Sequence, residues 1–143
     1  MQVPDVNALV YAHRGDLPQH ERYRSWLHAT LNGVSSYGVV DVAVLGFVRL
    51  VTNPRIFPEP TPLSDALTFA DVLRHRPHAI PVGPGPRHWS IFDGLCRQID
   101  ATGGDVTDAY LAALAIEHGH ELLTENDGFR RFPGLRSSKA PAS

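Results

Sequence analysis

Asp5, Asp41, Asp108 and the adjacent Asn126 and Asp127 are the side chains in this chain whose types and positions could do chemistry. All offer oxygen, and each stands at the edge of a predicted element rather than inside a hydrophobic run. Asp5 and Asn7 follow a short apolar start, Asp41 follows a second β-like stretch, and Asn126 and Asp127 follow ELLT. Asp108 sits near a predicted helix start, just after Thr107. Oxygen ligands without a cysteine cluster or a histidine pair suit a hard cation, Mg²⁺ or Mn²⁺. Carboxylates gathered at short range repel unless a cation is shared among them. A cation so held lowers the pKa of bound water and clamps a phosphodiester during in-line attack. Each residue also has a simpler reading. Asp5 suits the N-cap of a helix beginning at Val6, and Asp41 and Asp108 suit helix N-termini, where negative charge is favoured. Asn7 equally suits a turn.

The elements that must position these residues alternate in type. A strand runs to about Pro4, then a helix from Val6 to His13. Asp16 with Gln19 three residues later has the form of a capping box. The helix it would open carries Tyr23, Trp26, Leu27 and Leu31 at helical spacing and stops at Asn32-Gly33. Ser36 to Val40 reads as a strand and Asp41 to Asn53 as a helix closed by Pro54. Thr61-Pro62 opens a helix to about His75. Ala79 to Val82 reads as a strand, and Pro86 begins a helix through Ile99 that ends at Gly103-Gly104. Thr107 caps a helix from Asp108 to His118; Glu121 to Thr124 is a strand; a short turn or helix spans Asp127 to Arg131. Strands separated by helices predict an α/β, three-layer sandwich with a mostly parallel central sheet. Ligands of such sheets bind outside the carboxyl ends of the strands, where the acidic residues gather.

With 143 residues, 43% hydrophobic and 20% charged, the chain suits one globular domain. Residues 1–136 form the predicted domain and 137–143 a disordered tail. The single Cys96 excludes an internal disulfide and argues against structural zinc. No run approaches a membrane span and the start is unlike a signal peptide, so the expectation is a cytoplasmic protein. A net charge of −2 excludes a general nucleic-acid coat, so any RNA contact must be local. Arg130, Arg131, Arg136 and Lys139 form either such a patch or a solvated tail.

Four ordered stretches resemble the PIN domain, and within it the VapC toxins of toxin–antitoxin pairs. These are PDVNALVYAHR at 4–14, GFVRLVTNPRIF at 46–57, TDAYLAALAIEHG at 107–119 and ELLTENDGFRRFPGLR at 121–136. The resemblance implies a Mg²⁺-dependent endoribonuclease that cleaves structured RNA, such as tRNA or rRNA, by metal-activated water, with Mn²⁺ as a substitute. It makes Asp5 and Asp108 the metal ligands, with Asn7 and Thr124 as polar support. Two positions depart from the pattern. Gly46 stands where most relatives carry Glu, with Asp41 as the candidate replacement. Asn126 stands where Asp is usual, with Asp127 as the candidate. Arg49 and Arg55 lie in a family-like motif and are the candidate phosphate contacts, ahead of Arg14 and Arg130. The resemblance also implies a VapB-type antitoxin and a homodimer, with Tyr11, Trp26 and Phe47 as interface or core residues. Two other readings stand beside it. One is a degenerate PIN fold that binds RNA or antitoxin without cleavage. The other, a Mg²⁺-dependent phosphohydrolase with Asp5 as nucleophile, is weakened by Asn7 and by Lys139 being the only lysine.

Overall fold

The computed structural model describes residues 1–142. Five parallel strands form one sheet in the order β3-β2-β1-β4-β5. The strands are β1 (Gln2–Pro4), β2 (Tyr37–Val39), β3 (Ala79–Pro81), β4 (Glu121–Leu123) and β5 (Arg136–Ser138). The helices are α1 (Val6–His13), α2 (His20–Asn32), α3 (Asp41–Val51), α4 (Leu63–Arg74), α5 (His88–Ile99) and α6 (Gly104–His118). A 3₁₀ helix spans Asp127–Arg131.

Successive strand residues face opposite sides of a sheet, and the core follows that alternation. Leu123, Tyr37 and Val39 join Leu9, Tyr23, Trp26, Phe47 and Leu73 of α1 to α4 in one buried cluster. Val3 and Leu122 join Leu95, Ala112, Leu114, Phe129 and Phe132 in a second cluster beneath α5 and α6. The result is the expected three-layer α/β sandwich. Trp26 and Phe47 are core residues, at 7% and 0% exposure, and leave no free ring for an interface. The chain moves outward from β1 to β2 and β3, then returns past β1 to β4. The switch point therefore lies between β1 and β4.

Several sequence expectations meet physical competitors. The Asp16 capping box does not form, because Arg14 takes both Asp16 oxygens, at 2.9 and 2.7 Å; α2 starts at His20 without a side-chain cap. Helix α5 ends at Ile99 on Asp100, whose φ is 52°. Gly103 and Gly104 therefore open α6 rather than close α5, and Thr107 lies inside the helix instead of capping it. The expected tail is partly ordered. Ser137 and Ser138 pair with Leu122 and Leu123, and Arg22 Nη2 donates to the Ala140 carbonyl at 2.6 Å. Ser143 of that tail lies outside the described residues.

Candidate functional site

Asp5 is the residue that the fold treats most unusually. Its backbone N–H extends the β1–β4 pairing by donating to Leu123 O at 2.9 Å, which seats the residue on the switch point. Its side chain does cap α1, with Oδ1 accepting from Val6 N at 2.6 Å. An ordinary cap is solvated, whereas Asp5 is 4% exposed. Oδ2 accepts from the Thr124 hydroxyl at 2.7 Å, across the gap to the end of β4. Burial pushes the carboxyl up to about 6. The bonds from Thr124 and Val6 pull it down, and the charge of Asp108 pushes it further up. A buried carboxylate facing a second one is costly without a cation.

Asp108 reaches that crevice from α6, one turn inside the helix, so it is not a cap. Burial raises its pKa, the Arg131 guanidinium counters this, and Asp105 adds to the rise. Arg131 Nη2 lies 3.0 Å from Asp105 Oδ1 and 3.4 Å from Asp108 Oδ2. Tyr11 of α1 is also near, its phenol pushed up by burial and by the charges of Glu125 and Asp5. Asn7 is half-buried in the first turn of α1, beside Asp5.

The other candidates go elsewhere. Asp41 begins α3 beyond β2, and its exposed carboxylate pairs with Arg74 at the end of α4. That pair lines a hollow with Pro81, Val82 and Gly83 on the β2–β3 side. Asn126 turns back on its own loop, where Oδ1 accepts from Gly128 N at 2.8 Å and its N–H donates to Thr124 Oγ1 at 3.0 Å. Asp127 faces Arg130 and Lys139, at 3.7 and 3.4 Å. The structure thus brings together Asp5, Asp108 and Thr124, and does not bring Asp41 or Asp127 to them. Gly46 explains one gap: a Cβ there would come within 2.8 Å of Val6 Cγ2, so α3 packs on α1 where a larger side chain would stand.

The basic patch also separates. Arg136 donates to Gly119 O at 2.7 Å, at the far end of the sheet. Arg14 is tied to Glu59 O at 2.8 Å and stacks on Phe57. Arg49 and Arg55 are exposed. Sequence reasoning named Arg131 only within a basic stretch and did not single out Asp105, yet both lie beside Asp108. The only signal was the nearness of Asp105 to Asp108 on one helix and of Arg131 to the Asn126 loop.

The donor set fits a magnesium-sized cation. Mg²⁺ keeps several waters and is commonly held by one or two carboxylates with substrate phosphate. Among the described residues no group of three or more His, Cys, Asp or Glu side chains could hold a metal ion. Asp5 and Asp108, close enough for the charge of one to raise the pKa of the other, are the candidate pair. A hollow of about 580 Å³, lined by Met1, Gln2, Trp26 and Tyr37, lies at the opposite end of the strands. Among the described residues no helix is long and apolar enough to cross a membrane.

The family model described as "PIN domain" matches residues 3–135. Ribonuclease VapC43 of Mycobacterium tuberculosis is 46% identical over 132 residues, spanning 92% of this chain and 90% of that protein. Ribonuclease VapC25 of the same species is 39% identical over 137 residues, 96% of each. The crystal structure of VapBC2 from Rickettsia felis bound to a promoter DNA fragment contains a chain with TM-score 0.69 and 16% identity, covering 96% of this chain and 97% of that one. DNA-bound VapBC from Salmonella typhimurium gives TM-score 0.67 at 15% identity, covering 98% of both. At those identities the structures speak to the fold, while the mycobacterial relatives speak to descent. With the family model and these relatives spanning nearly its whole length, the chain belongs to the PIN-domain family, within the group of VapC ribonucleases.

Proposed function

We propose that this protein is a Mg²⁺-dependent endoribonuclease, the toxin of a VapBC-type pair, acting on structured RNA such as tRNA or rRNA in the cytoplasm. The observation that carries the reading is the Asp5–Asp108 pair at the switch point, with Asp5 buried and its pKa pushed up to about 6. A fold bears such a cost where the charge is used. Support also comes from relatives named as ribonucleases at 46% and 39% identity.

Within this reading Asp5 and Asp108 would hold Mg²⁺, with Mn²⁺ as a substitute. The cation supplies positive charge against the phosphodiester and lowers the pKa of a bound water. Thr124 fixes the Asp5 carboxylate by donating to Oδ2, and Val6 N–H fixes the other oxygen. Each carboxylate oxygen keeps further lone-pair capacity for the cation. Asn7 supports Asp5 from the first turn of α1. Arg49 and Arg55 are the proposed contacts to RNA phosphates, and contacts of that kind position RNA without reading its sequence. A VapB-type antitoxin covers the acidic crevice, and the toxin is a homodimer.

The test is incubation of the purified protein with total cellular RNA, with Mg²⁺ and with chelator. Discrete cleavage that needs the metal and disappears in Asp5→Asn and Asp108→Asn is expected. Cleavage that survives both substitutions refutes the assignment. A second reading, a PIN fold that binds RNA or antitoxin without cutting, is favoured by one observation. Asn126 uses its oxygen as a cap and Asp41 faces Arg74, which leaves only two acids for the cation. Tight RNA binding with no metal-dependent product, and no growth arrest on induced expression, would select it.

A further inference from the structure

Arg131 is held from four directions. Its Nη2 spans Asp105 and Asp108, and its Nη1 donates to Gly128 O at 2.9 Å. The guanidinium also lies 4.8 Å from the centroid of the buried Phe132 ring. Residue 128 is suited to this: a Cβ there would come within 2.6 Å of Arg131 Nη1. The 3₁₀ turn therefore brings its carbonyl close to the guanidinium because it carries glycine. The side chain is 32% exposed, against 31% for that of Asp108, so ion and water can reach the pair.

A guanidinium and a divalent cation compete for one carboxylate, since both need its lone pairs and repel each other. Arg131 is unequally shared, nearer Asp105 than Asp108. It can therefore let go of Asp108 while keeping Asp105, the Gly128 carbonyl and the Phe132 ring. We propose that Arg131 is the internal counter-ion of the acidic crevice, occupying Asp108 in the metal-free protein and withdrawing onto Asp105 when a divalent cation binds. This rests on the reading of Asp5 and Asp108 as cation ligands. Arg131 is then a positioning residue acting through Asp108. It neutralises the crevice without metal, keeps the Asp108 side chain in place, and weakens cation binding in return.

A purely structural clamp would behave differently. Removing it would lower stability and leave the affinity for metal unchanged or weaker. The experiment is calorimetric titration of Mn²⁺ into the full chain stripped with chelator, using wild type, Arg131→Gln, Arg131→Met, Arg130→Gln and Asp108→Asn, with thermal melts alongside. Arg131→Gln is expected to bind Mn²⁺ about tenfold tighter, the order expected for one partly exposed charge acting on a divalent ion. Arg130→Gln removes the same charge next door, without contact to Asp108, and is expected to stay within about twofold of wild type. Arg131→Gln added to Asp108→Asn is expected to give no further tightening. Arg131→Met keeps the apolar stem over Phe132 and carries the test if the glutamine variant melts too early. Equal affinities for the position 131 and 130 variants, or weaker binding at 131, overturn the proposal while leaving the metal site standing. If neither wild type nor the position 131 variants bind Mn²⁺ at millimolar concentration, the metal reading falls and this inference with it.

Discussion

Replacing Asp5 with asparagine removes a charge from a place where the fold solvates it poorly. The folded carboxyl is pushed up to about 6 from an ordinary 3.8, chiefly by burial. Between those two values the unfolded chain is ionised while the folded one still holds its proton. Stability is therefore fully present below the unfolded value and is lost as pH rises through about 6. The shift of roughly two pH units corresponds to about 3 kcal/mol. Asparagine carries no such cost and keeps an acceptor for Val6 N–H. It does replace one acceptor facing Thr124 by a donor, a mismatch worth about 1 kcal/mol. The net expectation is that Asp5→Asn is about 2 kcal/mol more stable than wild type at pH 7.5 in chelator, a melting-point gain of several degrees. The gain should shrink to nothing, or reverse, near pH 4. Urea unfolding of both proteins at a series of pH values reads the difference directly. A variant no more stable than wild type at pH 7.5, or a gap independent of pH, would refute the argument that Asp5 is a strained charge rather than a simple cap.

Three further substitutions probe the support around it. Thr124→Val removes the donor to Asp5 Oδ2, so the Asp5 pKa should move above its present value and stability at neutral pH should fall by about 1 kcal/mol, read by carboxyl NMR titration and urea unfolding. Gly46→Ala sets a methyl 2.8 Å from Val6 Cγ2 and should cost about 1 kcal/mol net of its gain in helix propensity, with Val6→Ala restoring most of it in the double variant. Arg14→Ala loses two acceptors on the loop after α3 (Glu59 O and Thr61 Oγ1) and the stack on Phe57, so about 2 kcal/mol should disappear and limited proteolysis should cut between residues 53 and 61.

What the sequence made legible follows from which forces are local. Helices α1 and α3 could be read because their apolar periodicity and the acidic residue before or at their first turn are local signals. The Asp127-to-Arg131 turn was readable from local composition, but the cap that Asn126 places on it was not, since Asn126 reads equally as a ligand. Strand β5 was hidden, because Arg-Ser-Ser has no hydrophobic alternation. Its order comes from backbone pairing with β4 and from the burial of Ala140 beyond it. The start of α6 was misread because a Gly-Gly pair serves the end of one helix and the beginning of another equally well. Only the left-handed backbone at Asp100 assigns it to the latter. The candidate site was legible only in part. Asp5 and Asp108 follow from motif and position, whereas the Arg131 bridge joins residues 23 and 26 apart in sequence and leaves no periodic trace. The pairing of Asp41 with Arg74 was hidden for a similar reason, since Arg74 lies on another helix, 33 residues on.

If Asp5 and Asp108 hold a cation as proposed, two carboxylates make a thin shell for it, and the thinness has a thermodynamic consequence. With Gly46 and Asn126 where the resemblance leads one to expect acids, a divalent ion held by Asp5 and Asp108 would rely on other oxygen donors. Water is one source and RNA phosphate the other, and only phosphate adds charge. Metal and RNA should therefore bind each other's complexes more tightly than either binds the free protein. Thermodynamic linkage requires the two enhancements to be equal. A coupling of about tenfold is the expected size, in the lower part of the usual range for linked sites. The measurement pairs a Mn²⁺ titration, with and without a saturating cleavage-resistant oligonucleotide, with the reverse titration of that oligonucleotide with and without Mn²⁺. The Asp108→Asn variant should abolish the coupling in both directions. Metal affinity unaffected by the oligonucleotide would mean that the two carboxylates and water suffice. Phosphate would then be no ligand of the cation, and the missing acids at positions 46 and 126 would carry no consequence for the site.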